Sequence, residues 1–139
     1  MKAIHIYLNF DGNTREAMKF YADCLGAELT MQSYKDAGVP GPPGPPGSED
    51  RIVHARLSKG SIVVMASDSP AGMPVKQGNN FWASVDCESQ DEIEKLFGKF
   101  GDGATVVMEL RDTFWNAHFG MLTDKYGVGW MFNFEKPKA

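Results

Sequence analysis

The chain has 139 residues, a formal charge of −4 and 42% hydrophobic residues, which are the proportions of one ordinary globular domain. The acidic balance and the absence of a Lys/Arg cluster exclude a nucleic-acid-binding surface, because such a surface needs a basic face. No apolar run approaches the roughly 20 residues of a membrane span, and residues 1–5 lack the apolar block of a signal peptide, so we expect a cytoplasmic protein.

The first half of the sequence predicts a strand, a helix and three more strands. Residues 4–10 alternate apolar and polar side chains, as in a half-buried strand. A helix follows, with Asn13 as its N-cap, Glu16 at the third helical position and Gly26 at its end. Three further strands are predicted at residues 28–34, 52–58 and 62–67.

The second half repeats this order. A strand is predicted at residues 80–85, and Ser89 caps a helix that has Glu92 three residues later and ends at Gly101. Three more strands are predicted at residues 105–110, 117–123 and 129–135. Asn13 and Ser89 are 76 residues apart, and similarity at this period indicates two supersecondary units of type βαβββ.

Two irregular segments interrupt the pattern. Residues 69–79 are rich in Gly, Pro and Asn and predict a linker. Residues 38–47 contain a short Pro/Gly repeat, which predicts an extended loop that is either a tolerated surface insertion or a lid. We therefore expect one domain over 1–139, with module one at about 1–68, a linker at about 69–79 and module two at about 80–136.

Five segments carry a family resemblance: residues 7–13, 54–55, 113–120, 124–127 and 130–131, of which the last two form an Asp-x-x-Gly-x-x-Trp motif. These segments resemble those of the vicinal oxygen chelate superfamily, which includes glyoxalase I, extradiol dioxygenases and bleomycin resistance proteins. Within it, the chain is most similar to the PhnB-like branch. The resemblance implies an α+β fold in which tandem βαβββ modules form a curled, cup-like, eight-stranded mixed sheet. It also implies a homodimer.

The metal-dependent members imply four ligands, usually His or Glu. Carried over to this sequence, these positions are His5, Met65, Asn80 and Met131. Only His5 is a good ligand for a divalent first-row metal, because thioethers are soft and an amide carbonyl binds weakly. We therefore predict that the chain has no metal site and no cofactor.

Strand alternation predicts which polar side chains line the cup instead. His54 and Arg56 alternate with apolar residues of their strand, as His118 does in a later one. For His5 and His118 the sequence leaves pocket and non-pocket positions equally open, and Phe114 or Trp115 could add an aromatic wall. The predicted ligand-binding residues are His5, Tyr7, His54, Arg56, Met65, Asn80, Trp82, His118, Met131 and Asn133.

Three hypotheses follow from this pocket. The first is a metal-independent protein that binds a small anionic or polar-aromatic molecule, with Arg56 and the histidines as anchors and Trp82 as a stacking wall. The alternative is a metal-dependent lyase, isomerase or dioxygenase of the same superfamily. A third is metal-free acid–base catalysis by His54 or His118, since imidazoles titrate near neutral pH.

Overall fold

The computed structural model describes residues 1–38, 47–70 and 72–138. It divides the chain into two compact units, unit 1 at Met1–Lys76 and unit 2 at Gln77–Ala139. The predicted Pro/Gly loop falls mostly on residues 39–46, which lie outside the described residues.

Unit 1 contains one four-stranded sheet, in the order β1-β4-β3-β2. β1 is parallel to β4, and the other neighbouring strands are antiparallel. Its elements are β1 (Ile6–Phe10), α1 (Thr14–Leu25), β2 (Glu28–Ser33), α2 (Tyr34–Ala37), a 3-10 helix (Ser48–Asp50), β3 (Ile52–Lys59) and β4 (Ile62–Asp68).

Unit 2 has the same sheet order, β5-β8-β7-β6, with β5 parallel to β8. Its elements are β5 (Ala83–Asp86), α3 (Gln90–Phe100), β6 (Thr105–Asp112), β7 (Ala117–Thr123) and β8 (Gly129–Glu135). The predicted α+β class and the two βαβββ modules are confirmed. The eight strands are divided between two hydrogen-bonded sheets of four.

Each sheet packs one face against its long helix. In unit 1, α1 lies on β2, β3 and β4 and buries Ala17, Met18 and Tyr21 completely. In unit 2, α3 lies on β8. There the ring of Phe100 lies 4.6 Å from that of Trp130, centroid to centroid, and Phe97 meets Phe132 edge-on at 5.7 Å. The amphipathic stripes of the two helices thus face the sheets, as their spacing predicts.

The start of α1 differs from the prediction. Asn13 occupies the N-cap position, but its side chain accepts no hydrogen bond from the helix. The backbone N–H of Thr14 instead donates to Oδ1 of Asp68, at 3.1 Å. Asp68 is on β4, so the cap comes from a residue that is distant in sequence. Ser89 does cap α3 as predicted, because its Oγ accepts from the N–H of Glu92 at 3.0 Å.

A short helix, α2, takes the place of the predicted end of β2. Ser33 accepts a hydrogen bond from the N–H of Asp36, and the Asp36 carboxylate accepts one from the N–H of Ser33. This capping box turns the chain into a helical turn at Tyr34. None of the helices in the described part of the chain has the length and apolar character that a membrane crossing requires.

Candidate ligand-binding surfaces

The face of unit 1 that points away from α1 carries mostly polar side chains. The register pairs Tyr7 with Met65 and Met65 with Arg56, so these three side chains form one row across β1, β4 and β3. Side chains two residues apart on a strand point to the same face, so the rows on either side of this one belong to the same surface. We call this surface the polar face; its residues are Tyr7, Asn9, Thr30, Gln32, His54, Arg56, Met65 and Ser67.

Within the polar face, Tyr7 and His54 are in direct contact. The Tyr7 hydroxyl lies 3.4 Å from Nδ1 of His54, and the two rings are 5.9 Å apart and tilted by 35°. Arg56, one pleat further along β3, is exposed. No carboxylate within the described ranges forms an ion pair with its guanidinium. Four of the predicted residues, Tyr7, His54, Arg56 and Met65, therefore share one face, while His5 precedes β1 and is exposed.

The corresponding face of unit 2, away from α3, is largely apolar. The register aligns Met108, Met121 and Met131 across β6, β7 and β8. The next row places Phe119 between Arg111 and Asn133. We call this surface the methionine face; its residues are Trp82, Ser84, Met108, Arg111, Phe119, Met121, Met131 and Asn133.

Trp82 is held flat against the backbone of β8. Its indole N–H donates to the carbonyl of Asn79 at 3.1 Å. A Cβ on Gly129 would lie 2.6 Å from the Trp82 ring, so the indole occupies the space that a side chain would need. Glycine is therefore required at position 129, because the Trp82 ring approaches the backbone closely there.

His118 lies on the opposite side of the unit 2 sheet from Met131 and Asn133. It pairs with Phe134, and alternation along this uninterrupted ladder places it with Gly120, which pairs with Phe132 on the α3 side. Nδ1 of His118 is 2.9 Å from the Asp112 carboxylate. His118 therefore does not join the other predicted residues of unit 2 on the methionine face.

Asn80 precedes β5 and is exposed, whereas Asn133 belongs to β8. The Asn133 amide donates to Asp86 at 3.4 Å. It lines an open depression of about 470 Å³ whose other residues are Asp86, Cys87, Glu88, Phe134 and Glu135. With three carboxylates among its lining residues, this depression does not suit an anionic ligand.

Two buried aspartates, Asp68 and Asp124, serve as structural acceptors, and the sequence pattern drew attention only to Asp124. Oδ1 of Asp68 accepts from the N–H groups of Gly12 and Thr14 and from the Thr14 hydroxyl, and Oδ2 accepts from the N–H of Ile52. Both carboxylate oxygens are thus engaged by protein donors. Because Asp68 is also only 5% exposed, its role is to hold the start of α1 against β3 and β4.

Asp124 has the same role in unit 2, at the turn before β8. Its Oδ1 accepts from the N–H groups of Tyr126 and Val128, and its Oδ2 accepts from the indole N–H of Trp130 at 2.8 Å. Gly127, with φ of 88°, provides the left-handed residue of the turn. The Asp-x-x-Gly-x-x-Trp motif therefore positions the buried Trp130 rather than a ligand.

Cys87 is not a nucleophile at neutral pH. Burial, and then the negative charges of Glu92 and Asp86, raise the pKa of its thiol to about 11. The reactive thiolate is consequently a negligible fraction below pH 9.

The donor set does not fit a hard divalent metal. The positions that the resemblance implies, His5, Met65, Asn80 and Met131, provide one imidazole and no carboxylate. Among the described residues, no group of three or more His, Cys, Asp or Glu side chains is arranged to hold a metal ion.

Two βαβββ units, each with its first strand parallel to its last, place the chain in the glyoxalase/bleomycin-resistance fold class. The family model described as 3-demethylubiquinone-9 3-methyltransferase matches residues 2–132. The chain thus belongs to this family, which corresponds to the PhnB-like branch. It is 32% identical to Protein YjdN of Escherichia coli (strain K12), over 94% of this chain and 93% of that protein.

Solved structures agree with this assignment. Protein PA1353 from Pseudomonas aeruginosa is 38% identical with a TM-score of 0.82, over 97% of this chain and 100% of that one. A PhnB protein from Bacillus cereus, titled a putative 3-demethylubiquinone-9 3-methyltransferase, is 27% identical with a TM-score of 0.78, over 96% and 99%. A glyoxalase/bleomycin resistance/dioxygenase family enzyme from Burkholderia phytofirmans PsJN shares the fold, at 16% identity and a TM-score of 0.62, over 94% and 97%.

Proposed function

We propose that this chain binds a small anionic or polar-aromatic molecule on the polar face of unit 1, without a divalent metal. The observation that supports this most directly is the row of Tyr7, Met65 and Arg56 with His54 beside it. A phenol, an imidazole and a guanidinium project there from one rigid sheet. Side chains on strands hold a binding geometry better than side chains on loops do.

The chemistry of these groups favours an anion. Arg56 can donate two parallel hydrogen bonds to a carboxylate or phosphonate. His54 and Tyr7 can each donate or accept, according to the ligand. Met65 gives a polarizable apolar surface between them, which suits the body of a small molecule. Trp82, Met131 and Asn133 of unit 2 were also among the predicted ligand-binding residues. That they bind the same ligand as the polar face stays a prediction.

The name of the matched family describes methyl transfer to a demethylated quinone, and that description suits an aromatic ligand. It does not by itself identify a reaction for this chain, whose sequence has no Gly-x-Gly-x-x-Gly segment after a strand for a nucleotide-like cofactor. The alternative of a metal-dependent lyase, isomerase or dioxygenase stays a prediction, and the lack of carboxylate ligands counts against it.

A second candidate function is proton transfer by His54. The contact with the Tyr7 hydroxyl, at 3.4 Å, would fix the orientation of the imidazole and leave its Nε2 available to a ligand. His118 is a weaker candidate, because its Nδ1 is engaged with Asp112 on the α3 side of the sheet.

Thermal denaturation in the presence of aliphatic phosphonates tests the binding proposal. A ligand present at 100 times its Kd should stabilise the fold by about 2.7 kcal/mol. Arg56→Gln should abolish the shift for these phosphonates, whereas Arg15→Gln, which removes an exposed cation of α1, should retain it. If no anion stabilises the protein, or if both variants respond alike, the polar face is not the binding surface.

Elemental analysis of purified protein separates this proposal from the metal-dependent alternative. We expect zinc, nickel, iron and manganese each to be well below one equivalent per chain, and a stoichiometric metal would reverse the conclusion. The homodimer implied by the resemblance also stays a proposal, which light scattering of the purified protein tests.

A further inference from the structure

A groove at the hairpin between β6 and β7 has the composition of a second binding site. It is open and has a volume of about 440 Å³, within the range of small-molecule sites. None of the ten predicted ligand-binding residues lines it, although Phe114 and Trp115, which the sequence offered as an aromatic wall of the predicted pocket, do. Its lining residues are Met108, Arg111, Asp112, Thr113, Phe114, Trp115 and Phe119.

The groove presents aromatic rings that are exposed to solvent and in contact with one another. Phe114 is 97% and Trp115 51% exposed. Their rings meet edge-on, with centroids 4.8 Å apart, and the Trp115 ring lies 6.2 Å from that of Phe119. Large rings in water are unfavourable, so a run of three that continues onto the methionine face indicates a surface that gains free energy when it is covered.

Backbone hydrogen bonds hold the hairpin that carries these rings. The N–H of Thr113 donates to the carbonyl of Ala117 at 2.8 Å, and the N–H of Lys136 on the neighbouring segment donates to the carbonyl of Asn116 at 3.0 Å. Asn116 adopts the left-handed conformation, with φ of 62°. The backbone that carries the rings therefore does not need to be ordered when a ligand arrives, which lowers the entropic cost of binding.

The charge of the groove comes from Arg111. In the part of the chain that the structure describes, its guanidinium has no carboxylate partner, and its Nη2 lies 3.6 Å from the sulfur of Met108. Asp112 is the nearby acid, but its carboxylate already accepts from Lys136 at 2.6 Å and from His118 at 2.9 Å. The negative charge in the groove is thus compensated, and the positive charge of Arg111 is not.

We propose that this groove binds a planar aromatic molecule that carries an anionic group, with its ring against Trp115 and Phe119 and its anion on Arg111. Aromatic stacking and a charge-assisted hydrogen bond then act on the two ends of one ligand. A neutral aromatic would lose the second interaction, and an aliphatic anion would lose the first.

Binding of 2-naphthoate, measured by calorimetry and by quenching of tryptophan fluorescence, tests this proposal. We expect 2-naphthoate to bind at least tenfold more tightly than either 2-naphthalenemethanol or cyclohexanecarboxylate. Arg111→Gln and Trp115→Leu should each weaken 2-naphthoate binding by about tenfold. Arg15→Gln, which removes an exposed cation of unit 1, should not change it.

The proposal is overturned if 2-naphthoate does not bind, if its neutral analogue binds equally well, or if Arg111→Gln and Arg15→Gln behave alike. It is also overturned if light scattering shows that the unsubstituted protein is a dimer and Trp115→Leu a monomer, while 2-naphthoate changes neither protein's oligomeric state. The rings would then form an interface between copies of the chain. Arg111 and Trp115 belong to unit 2, whereas the function proposed above depends on Arg56 of unit 1, so each proposal can fail without the other.

Discussion

The two units share one strand order, but they secure the start of their helices in different ways. In unit 2, Ser89 caps α3 with its own hydroxyl, three residues before its partner. In unit 1, the equivalent bond to Thr14 comes from Asp68, 54 residues further along the chain. In the same architecture, the first turn of the helix can therefore be capped by a local hydrogen bond or by a tertiary one. The tertiary bond ties the helix to the sheet, so losing it should affect the whole unit.

The faces away from the helices differ as well. The polar face of unit 1 offers Tyr7, His54 and Arg56, whereas the methionine face of unit 2 offers a row of thioethers flanked by aromatic rings. Because the register of each sheet depends on its helix-side residues, the opposite face can change composition at little cost in stability. The duplicated backbone thus supports two chemically distinct surfaces.

The largest effect is expected for Asp68→Ala. This substitution leaves the N–H groups of Gly12, Thr14 and Ile52 without their acceptor, and we expect it to lower the free energy of unfolding by about 4 kcal/mol. Urea denaturation measures this change. Asp11→Ala is the matched control, because Asp11 is exposed and its ion pair with Arg51 should contribute less than about 1 kcal/mol. Equal losses in the two variants would contradict the assigned role of Asp68.

Asp124→Ala should cost somewhat less, about 3 kcal/mol, because Asp124 accepts from two backbone N–H groups and one indole. A double-mutant cycle with Trp130→Phe isolates the indole bond. We expect the two substitutions to be less than additive, since the second removes a donor that the first has already left without its acceptor. Simple additivity would show that the Asp124–Trp130 contact contributes nothing to stability.

Gly129→Ala should cost about 2 kcal/mol, because its methyl group would overlap the indole of Trp82. Adding Trp82→Ala should remove that penalty, which would locate the strain at this contact. Gly98→Ala is the matched control: its Cβ would meet no atom within 4 Å, so alanine should instead stabilise α3 by about 0.5–1 kcal/mol. Thermal denaturation of the unsubstituted protein, Gly129→Ala, Gly129→Ala with Trp82→Ala, and Gly98→Ala measures the order of their stabilities.

The smallest effect tests the comparison of the two helices directly. Ser89→Ala removes the local cap of α3 and should cost about 1 kcal/mol. Asn13 is at the corresponding position of α1, but its side chain makes no capping bond. Asn13→Ala should therefore leave the free energy of unfolding almost unchanged. A similar loss for both variants, measured by urea denaturation, would mean that the helices start in the same way.

Much of the fold could be predicted because its determinants are local. The bounds of β7 and β8 match the predicted residues, and Ser89 and Gly26 mark helix ends as their chemistry requires. The role of Asp68 could not be predicted, since its partners lie in the β1–α1 loop, on α1 and on β3. Nothing in the sequence around Asp68 distinguishes it from an exposed acid.

The faces on which the candidate residues lie could be predicted in part. Clean alternation of apolar and polar residues in β1 and β3 puts Tyr7, His54 and Arg56 on one face, and the register agrees. Their role in binding stays a prediction. The face of His118 could not be read in the same way. Apolar residues occupy both faces of β7, from Phe119 to Leu122, so the pattern does not say which face meets the helix.

The parallel pairing of the first and last strands has a consequence for the order of folding. Among the described strands, β1 pairs only with β4, where the partners Asn9 and Ser67 are 58 residues apart in sequence. β5 pairs with β8, where Asp86 and Asn133 are 47 residues apart. Closing such long loops is slow, because chain entropy is lost before any contact is gained. On the ribosome, each module must therefore wait for its final strand to emerge, and its opening strand is the part most open to misassociation in that interval.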